Sequence, residues 1–196
     1  MTLSRSFRLS PLVAGIIVAV LQTGVIGYMV ESRAAILRNG ADIRLKTSPV
    51  DPRDLLRGDY VILSYPISTI SKSIVTGDIP ADGTRTRLSV RLKPDASGLW
   101  NATEARFADM APENGSVILR TLPFVFNTYG AGEMPDTLFV QYGLERYYVP
   151  EGEGRALENA RNAEELEVEA RVSHDGTPQI ARLLLRGEPV YDEPLY

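Results

Sequence analysis

The sequence predicts a mainly β domain, built as a barrel-like or folded-over antiparallel sheet with one short helix and preceded by an N-terminal transmembrane helix. Three observations lead to this fold class. The 22 residues between Arg8 and Glu31 carry no formal charge. Most later segments alternate apolar and polar residues with the period of two that is typical of strands. Only residues 154–163 combine helix-favouring residues over a length that a helix needs, so helix is a minor part of the domain.

The apolar run near the N-terminus has the length of a membrane span. Its core, Leu12 to Val30, holds 19 residues and would extend about 28 Å as a helix, which matches the hydrocarbon core of a bilayer. Pro11 stands at the start, where a missing N–H costs nothing. We predict an uncleaved anchor that contacts the lipid bilayer through residues 12–30, with a cleaved signal peptide as the main alternative.

The flanking charges predict the orientation of the anchor. Arg5 and Arg8 precede the span, and no acidic residue occurs among the first 30. By the positive-inside rule we expect the N-terminus in the cytoplasm and the rest outside a cytoplasmic (inner) membrane, on the periplasmic side. The predicted divisions are a cytoplasmic tail (1–8), a transmembrane helix (9–30), a juxtamembrane helix or linker (31–40) and an extracytoplasmic β-rich domain (41–196).

Charge and composition exclude several classes of function for the outer part. Two of the 21 Lys and Arg residues precede the span and all 25 acids follow it, so the outer part has a net charge of −6. Nucleic acid is therefore not an expected partner, because phosphate binding needs a basic face. The absence of cysteine excludes disulfides, thiol nucleophiles and zinc–thiolate sites.

The sequence of the domain predicts a series of short strands joined by turns. Residues 76–84 are a loop by their Gly, Pro and Asp content, and Pro66 indicates an edge or a bulge. Residues 174–177 form a hairpin turn near the C-terminus. In chain order, the predicted strands are 43–47, 60–70, 86–93, 99–107, 116–126, 138–142, 145–149, 166–173 and 179–186.

Residues 58–65, with the sequence Gly-Asp-Tyr-Val-Ile-Leu-Ser-Tyr, form the most distinctive motif, which we call the signature segment. It resembles the defining motif of the GDYXXLXY family of bacterial membrane-anchored proteins. Residues 51–57 look like the family's lead-in, residues 142–152 like its second block, and residues 184–187 like its tail. The resemblance implies a location at a membrane and specifies no reaction.

The candidate site residues all come from the lead-in, the signature segment and the second block. The charged residues of the first region are consistent with a local salt-bridged cluster or with a patch that recognises a partner. The tyrosines are consistent with half-buried strand residues or with a ligand groove. The set is Asp51, Arg53, Arg57, Gly58, Asp59, Tyr60, Leu63, Tyr65, Tyr142, Glu145, Arg146, Tyr147, Glu151 and Gly152.

Within the signature segment the spacing predicts which side chains share a face. Tyr60 and Leu63 are separated by an odd number of residues and should point to opposite faces, whereas Leu63 and Tyr65 should share one. Gly58 is expected in a turn that needs a positive φ. Glu145, Arg146 and Glu151 are expected to face the first block across a sheet.

Catalysis has few candidate groups in this chain. His174 is the single histidine and falls in a predicted turn, which disfavours a Ser-His-Asp triad and a metal site. One enzyme alternative remains, a signal-peptidase-like Ser/Lys membrane peptidase with Ser48 as nucleophile and Lys72 or Lys93 as base. That alternative rests on a similar layout of anchor, β domain and Gly-Asp turn.

The sequence as a whole favours a non-enzymatic, single-pass membrane protein. Its outer domain is expected to act as an accessory or interaction module, with a polytopic membrane protein as its partner. No cofactor and no metal are expected.

Overall fold

The long N-terminal helix carries the chain directly into the β domain. The structure, a computed structural model, describes residues 10–49, 60–130, 132–150, 152 and 154–195. Helix α1 spans Pro11–Asn39, with the Ser10 hydroxyl accepting a hydrogen bond from the Val13 N–H at 3.3 Å. It is long and apolar enough to cross a membrane. The helix continues without a break through residues 31–39.

Antiparallel strands are the main secondary structure in the remaining described chain. The strands are β1 (Ala41–Lys46), β2 (Tyr60–Ile62), β3 (Thr69–Ser71), β4 (Arg85–Thr86), β5 (Ser89–Pro94), β6 (Trp100–Arg106), β7 (Val117–Arg120), β8 (Phe124–Val125), β9 (Thr137–Phe139), β10 (Arg146–Tyr148), β11 (Leu166–Val172), β12 (Pro178–Leu185) and β13 (Glu188–Asp192). A second helix, α2, spans Gly154–Asn162. The predicted fold class, mainly β with one short helix after a long apolar one, is confirmed.

The strands form several small sheets that pack on a shared core. The largest has the order β1-β11-β12-β13, and a second has the order β6-β5-β7. Three two-stranded ribbons pair β10 with β2, β3 with β9, and β4 with β8. None of these sheets closes on itself, so over the described ranges the domain is folded over and is not a closed barrel.

Three predicted strands are divided in the structure: 60–70, 86–93 and 116–126. The second becomes β4 and β5, and the third becomes β7 and β8 on either side of Pro123. The expected strand 60–70 is interrupted, because Pro66 begins a single 3₁₀ turn, Pro66–Ser68, between β2 and β3. Proline lacks the N–H that a continuous ladder needs. The sequence analysis also missed β13, whose residues are largely exposed and show little alternation.

The outer end of α1 is packed firmly against the largest sheet. Ala34 and Leu37 are buried, and the Arg171 guanidinium donates hydrogen bonds to the Leu37 carbonyl and to Asp42. At Gly40 an added Cβ would lie 2.7 Å from the Ile36 carbonyl oxygen and 2.9 Å from Arg171 Cβ. Helix and sheet therefore meet at a distance that only glycine permits.

Candidate functional site

The signature segment and the second block pair directly with each other. Strands β2 and β10 are antiparallel, with Tyr60 opposite Tyr148, Val61 opposite Tyr147, and Ile62 opposite Arg146. One further hydrogen bond, from the Leu63 N–H to the Glu145 carbonyl at 2.9 Å, extends the pairing. We call this β2–β10 unit the signature ribbon.

The inner face of the signature ribbon belongs to the core. Leu63 is 1% exposed, and Val61 and Tyr65 are equally well buried. The exposure pattern places Tyr60 on the opposite side from Leu63, and Leu63 on the same side as Tyr65. The expected division of the segment between two faces therefore matches the described burial.

Two buried tyrosines connect the blocks in a reciprocal way. The Tyr65 hydroxyl donates to the Leu144 carbonyl at 2.8 Å, and the Tyr142 hydroxyl donates to the Ile67 carbonyl at 2.7 Å. Burial, and secondly the charge of Glu145, raise the pKa of both phenols well above its usual value. These side chains are core residues with satisfied hydroxyls and do not line an open ligand site.

Glu145 stabilises the turn that precedes β10. Its carboxylate accepts hydrogen bonds from the N–H groups of Tyr142 at 2.6 Å and Gly143 at 2.8 Å. Gly143 has a φ of 87°, a conformation that favours glycine. Glu145 thus acts on its own block through its side chain and on the first block through its carbonyl.

Arg161, which the sequence analysis did not select, lies in α2 and binds the backbone of β2. It is among the largest fully buried side chains. Its guanidinium donates to the Ile62 carbonyl and to the Asn162 side chain. Burial lowers the pKa of Arg161, while the charge of Glu158 opposes that shift. The available signal was an arginine on the apolar face of an otherwise amphipathic helix.

Tyr147 links the signature ribbon to the C-terminal segment and to α1. Its ring lies 6.3 Å from that of Tyr191. The pKa of Tyr147 is raised to about 12, chiefly by burial. The negative charges of Glu193 and Asp192, and hydrogen bonding to Glu193, act in the same direction. The same Glu193 carboxylate forms a 3.0 Å ion pair with Arg33 of α1.

The outer face of the signature ribbon is aromatic and basic. The rings of Tyr60 and Tyr148 are 5.9 Å apart, and the Arg146 guanidinium lies 5.7 Å from the centre of the Tyr60 ring. Tyr148 is 71% exposed. Ile62 shares this exposed side.

An open groove adjoins the signature ribbon. Its volume is about 510 Å³, and its walls include Ile62, Ser68, Leu122 and Phe139. Phe139 is 80% exposed and Leu122 is 45% exposed. The Ser68 hydroxyl is buried and has no hydrogen-bond partner in the part of the chain that the structure describes. The accessible surface of the groove is therefore largely apolar at Leu122 and Phe139.

Several predicted site residues lie outside the described residues: Asp51, Arg53, Arg57, Gly58, Asp59 and Glu151. The proposed salt-bridged cluster and the turn at Gly58 therefore stay predictions. Gly152 is described and has a φ of 92°.

The residues of the peptidase alternative occupy separate environments. The Ser48 N–H donates to the Ser64 carbonyl at 2.8 Å. Lys72 is exposed in a 3₁₀ turn, and the Lys93 ammonium pairs with Glu113. Within the described ranges, no hydrogen bond joins Ser48 to either lysine.

His174 lies in the β11–β12 hairpin turn, beside the end of α1. Among the described residues, no group of three or more His, Cys, Asp or Glu side chains is placed to hold a metal ion.

One known protein family matches this chain over a range that includes both paired blocks. The model of the GDYXXLXY protein family matches residues 22–183, which is most of the chain. The chain belongs to the GDYXXLXY family. The match includes both strands of the signature ribbon, the outer end of α1 and α2. No curated protein and no solved structure matches the chain. Family membership and the apolar α1 together fit a membrane-anchored protein.

Neighbouring substitutions in β2 and just after it test the two faces of the family motif. Leu63→Asp should lower the free energy of unfolding by several kcal/mol, because the carboxylate would be buried without a partner. Ile62→Asp, at a position 37% exposed, should cost about 1 kcal/mol or less. Thermal unfolding of the full chain in detergent compares the two variants. Equal destabilisation would contradict the assignment of faces.

The buried tyrosines predict a loss of stability at high pH. The pKa of Tyr147 rises to about 12 in the folded state, against about 10 in the unfolded chain. Its stabilising contribution is therefore complete below about pH 10 and declines as the pH rises towards 12. Unfolding measured across this range should show a flatter decline in Tyr147→Phe, and an unchanged one in the exposed control Tyr148→Phe. Identical slopes in wild type and Tyr147→Phe would exclude Tyr147 as the group that titrates.

Proposed function

We propose that this family member is a single-pass, non-enzymatic accessory protein whose extracytoplasmic β domain binds a polytopic membrane protein. The groove beside the signature ribbon carries the proposal. Its exposed Phe139 and Leu122 are large apolar side chains that a soluble surface does not require. The groove lies next to both family blocks, and the two blocks would therefore form the walls and support of a binding site.

The chemistry of the groove indicates what its occupant presents. The exposed apolar walls, Leu122 and Phe139, favour an apolar side chain on the occupant. An extracytoplasmic loop of a neighbouring membrane protein can present such a side chain. Such a loop would also lie at the same membrane surface as the anchored domain, which raises its effective concentration.

The orientation rests on the charges around the span. Arg5 and Arg8 precede the apolar run, and the first 30 residues lack acids, which supports a cytoplasmic N-terminus and an inner-membrane location. The net charge of −6 on the remainder of the chain is tolerated on the outer side, since acidic residues contribute little to the rule.

The environment of Lys93 supports a non-enzymatic role. A lysine that acts as a general base must lose its proton near neutral pH, which requires burial away from carboxylates. Lys93 instead is partly exposed and forms an ion pair with the Glu113 carboxylate at 2.5 Å.

Site-specific photo-crosslinking in the native membrane tests the binding site. A photoreactive phenylalanine at Phe139 should crosslink to one integral membrane protein. The same group at Tyr129, which is 71% exposed, is the control and should give no such product. Leu122→Asp should reduce the crosslink at position 139 several-fold while leaving the thermal midpoint nearly unchanged, because Leu122 is a half-exposed groove wall.

The identity of the crosslinked protein decides the outcome. The proposal is supported if the crosslinked protein is polytopic and itself binds this chain at the groove. Equal products at both positions, or a product insensitive to Leu122→Asp, would contradict it. Turnover of a membrane substrate that disappears in Ser48→Ala would favour the peptidase instead.

A further inference from the structure

The outer end of α1 forms one wall of a pocket whose opposite wall is the β11–β12 hairpin turn. The pocket has a volume of about 550 Å³, which is within the range of small-molecule sites. Ser32, Ile36 and Asn39 line it from α1, and His174 and Asp175 line it from the turn. We infer that this pocket holds the headgroup of an ethanolamine phospholipid, which is zwitterionic and carries a primary amine. The inference rests on the membrane anchoring in the proposed function and is independent of any protein in the groove.

The pocket begins where the apolar part of α1 ends. The uncharged run ends at Val30, so Ser32 lies about 3 Å further along the helix axis and Ile36 about 9 Å further. The polar zone of a bilayer is about 5–7 Å deep on each side of the hydrocarbon. In a chain that α1 anchors, the membrane-side end of the pocket is therefore at the depth of phospholipid headgroups.

Contacts within the domain hold the hairpin turn beside the helix. Ala41, the first residue of β1, pairs with Val172 at the end of β11, and an added Cβ at Gly40 would lie 3.0 Å from the Val172 nitrogen. The turn that follows Val172 consequently lies alongside the last turns of α1. On its other side the turn is bound to β7, since the Arg120 N–H donates to the Gly176 carbonyl at 2.9 Å. Both walls of the pocket are thus part of the folded domain.

The face of α1 that lines the pocket continues into the apolar run. Val25 and Met29 precede Ser32, Ile36 and Asn39 at alternating spacings of four and three residues, which place all five on one helix face. Val25 and Met29 are exposed. A lipid whose acyl chain lies along these two side chains therefore has its headgroup at the pocket.

The polar groups of the pocket match the two charges of such a headgroup. The side chains of Asn39 and His174 are exposed and form no hydrogen bond with any described residue, so the amide and the imidazole N–H can donate to phosphate oxygens. The Asp175 carboxylate accepts hydrogen bonds from the Thr177 N–H at 3.3 Å and hydroxyl at 3.1 Å. Hydrogen bonds from Ser173 and Thr177 hold the pKa of Asp175 below its usual value. Asp175 thus supplies a negative charge for an ammonium group.

This combination of groups distinguishes between headgroups. An anionic headgroup without an amine would meet the Asp175 carboxylate, and the acidic outer part of the chain offers it no general attraction. A choline headgroup has no N–H, whereas a primary ammonium has three that can donate to a carboxylate. The pocket therefore favours ethanolamine over both.

Native mass spectrometry of the full chain in detergent tests the pocket. The chain is titrated with ethanolamine, choline and glycerol phospholipids that have identical acyl chains, and the lipid-bound fraction is measured. The ethanolamine lipid should bind several-fold more tightly than the other two. Asp175→Asn should bring the ethanolamine and choline lipids to about the same affinity, since the charge is lost. Asp95→Asn is the matched control, because Asp95 also accepts hydrogen bonds from the residue two positions later, Ser97, but does not line the pocket.

The double variant Asn39→Ala/His174→Ala removes the phosphate donors. It should weaken the binding of all three lipids several-fold without changing the thermal midpoint, because both side chains are exposed. Equal binding of the three lipids, or an ethanolamine preference that survives Asp175→Asn, would overturn the inference. A second polypeptide that is bound to the chain and lost in the double variant would also overturn it. The crosslink from Phe139 does not depend on these outcomes, so failure here and failure of the groove proposal are distinguishable.

Discussion

The reciprocal tyrosine hydrogen bonds between the two family blocks are the constraint on which the site depends. The Tyr65 hydroxyl of the first block donates a hydrogen bond to the Leu144 carbonyl, and the Tyr142 hydroxyl of the second block donates one to the Ile67 carbonyl. Each bond contributes about 1 kcal/mol in itself. The larger effect is specificity, because a shift in register would leave two buried phenols and two buried carbonyls without partners.

The contacts around this pair depend on the same register. Glu145 closes the turn before β10, and Arg161 fixes β2 from the side of α2. Both groups bind backbone atoms, whose positions are set once the blocks are paired. With the inner face fixed in this way, alternation along two short strands determines which side chains lie outside, and Tyr60, Arg146 and Tyr148 are placed there.

Local patterns were sufficient to predict the elements that interact mainly with their sequence neighbours. The apolar run of α1, the amphipathic α2 and the β11–β12 hairpin all appear close to their predicted positions. Each is encoded by periodicity and a turn within fewer than about 30 residues. The faces of Leu63 and Tyr65 followed from spacing alone for the same reason.

The parts that sequence reasoning missed depend on contacts between distant segments. Arg161 is buried because it reaches Ile62, which lies 99 positions away, and its place on the apolar face of α2 does not reveal that partner. Tyr65 and Leu144 are 79 positions apart, so the satisfied state of that hydroxyl could not be read from either block. The groove is formed where segments from β2, β9 and the chain after β7 converge, and its shape emerges only from tertiary packing.

The close junction at Gly40 joins the domain directly to the apolar helix α1, which is long enough to cross a membrane. A helix whose apolar length exceeds the local hydrocarbon thickness tilts, and average tilts are about 20°. Because Ala34 and Leu37 are buried against the sheet and Arg171 donates to the Leu37 carbonyl, a change in the tilt of α1 would turn the packed sheet with it. In a chain anchored by α1, bilayer thickness would thereby set how far the groove stands from the lipid surface.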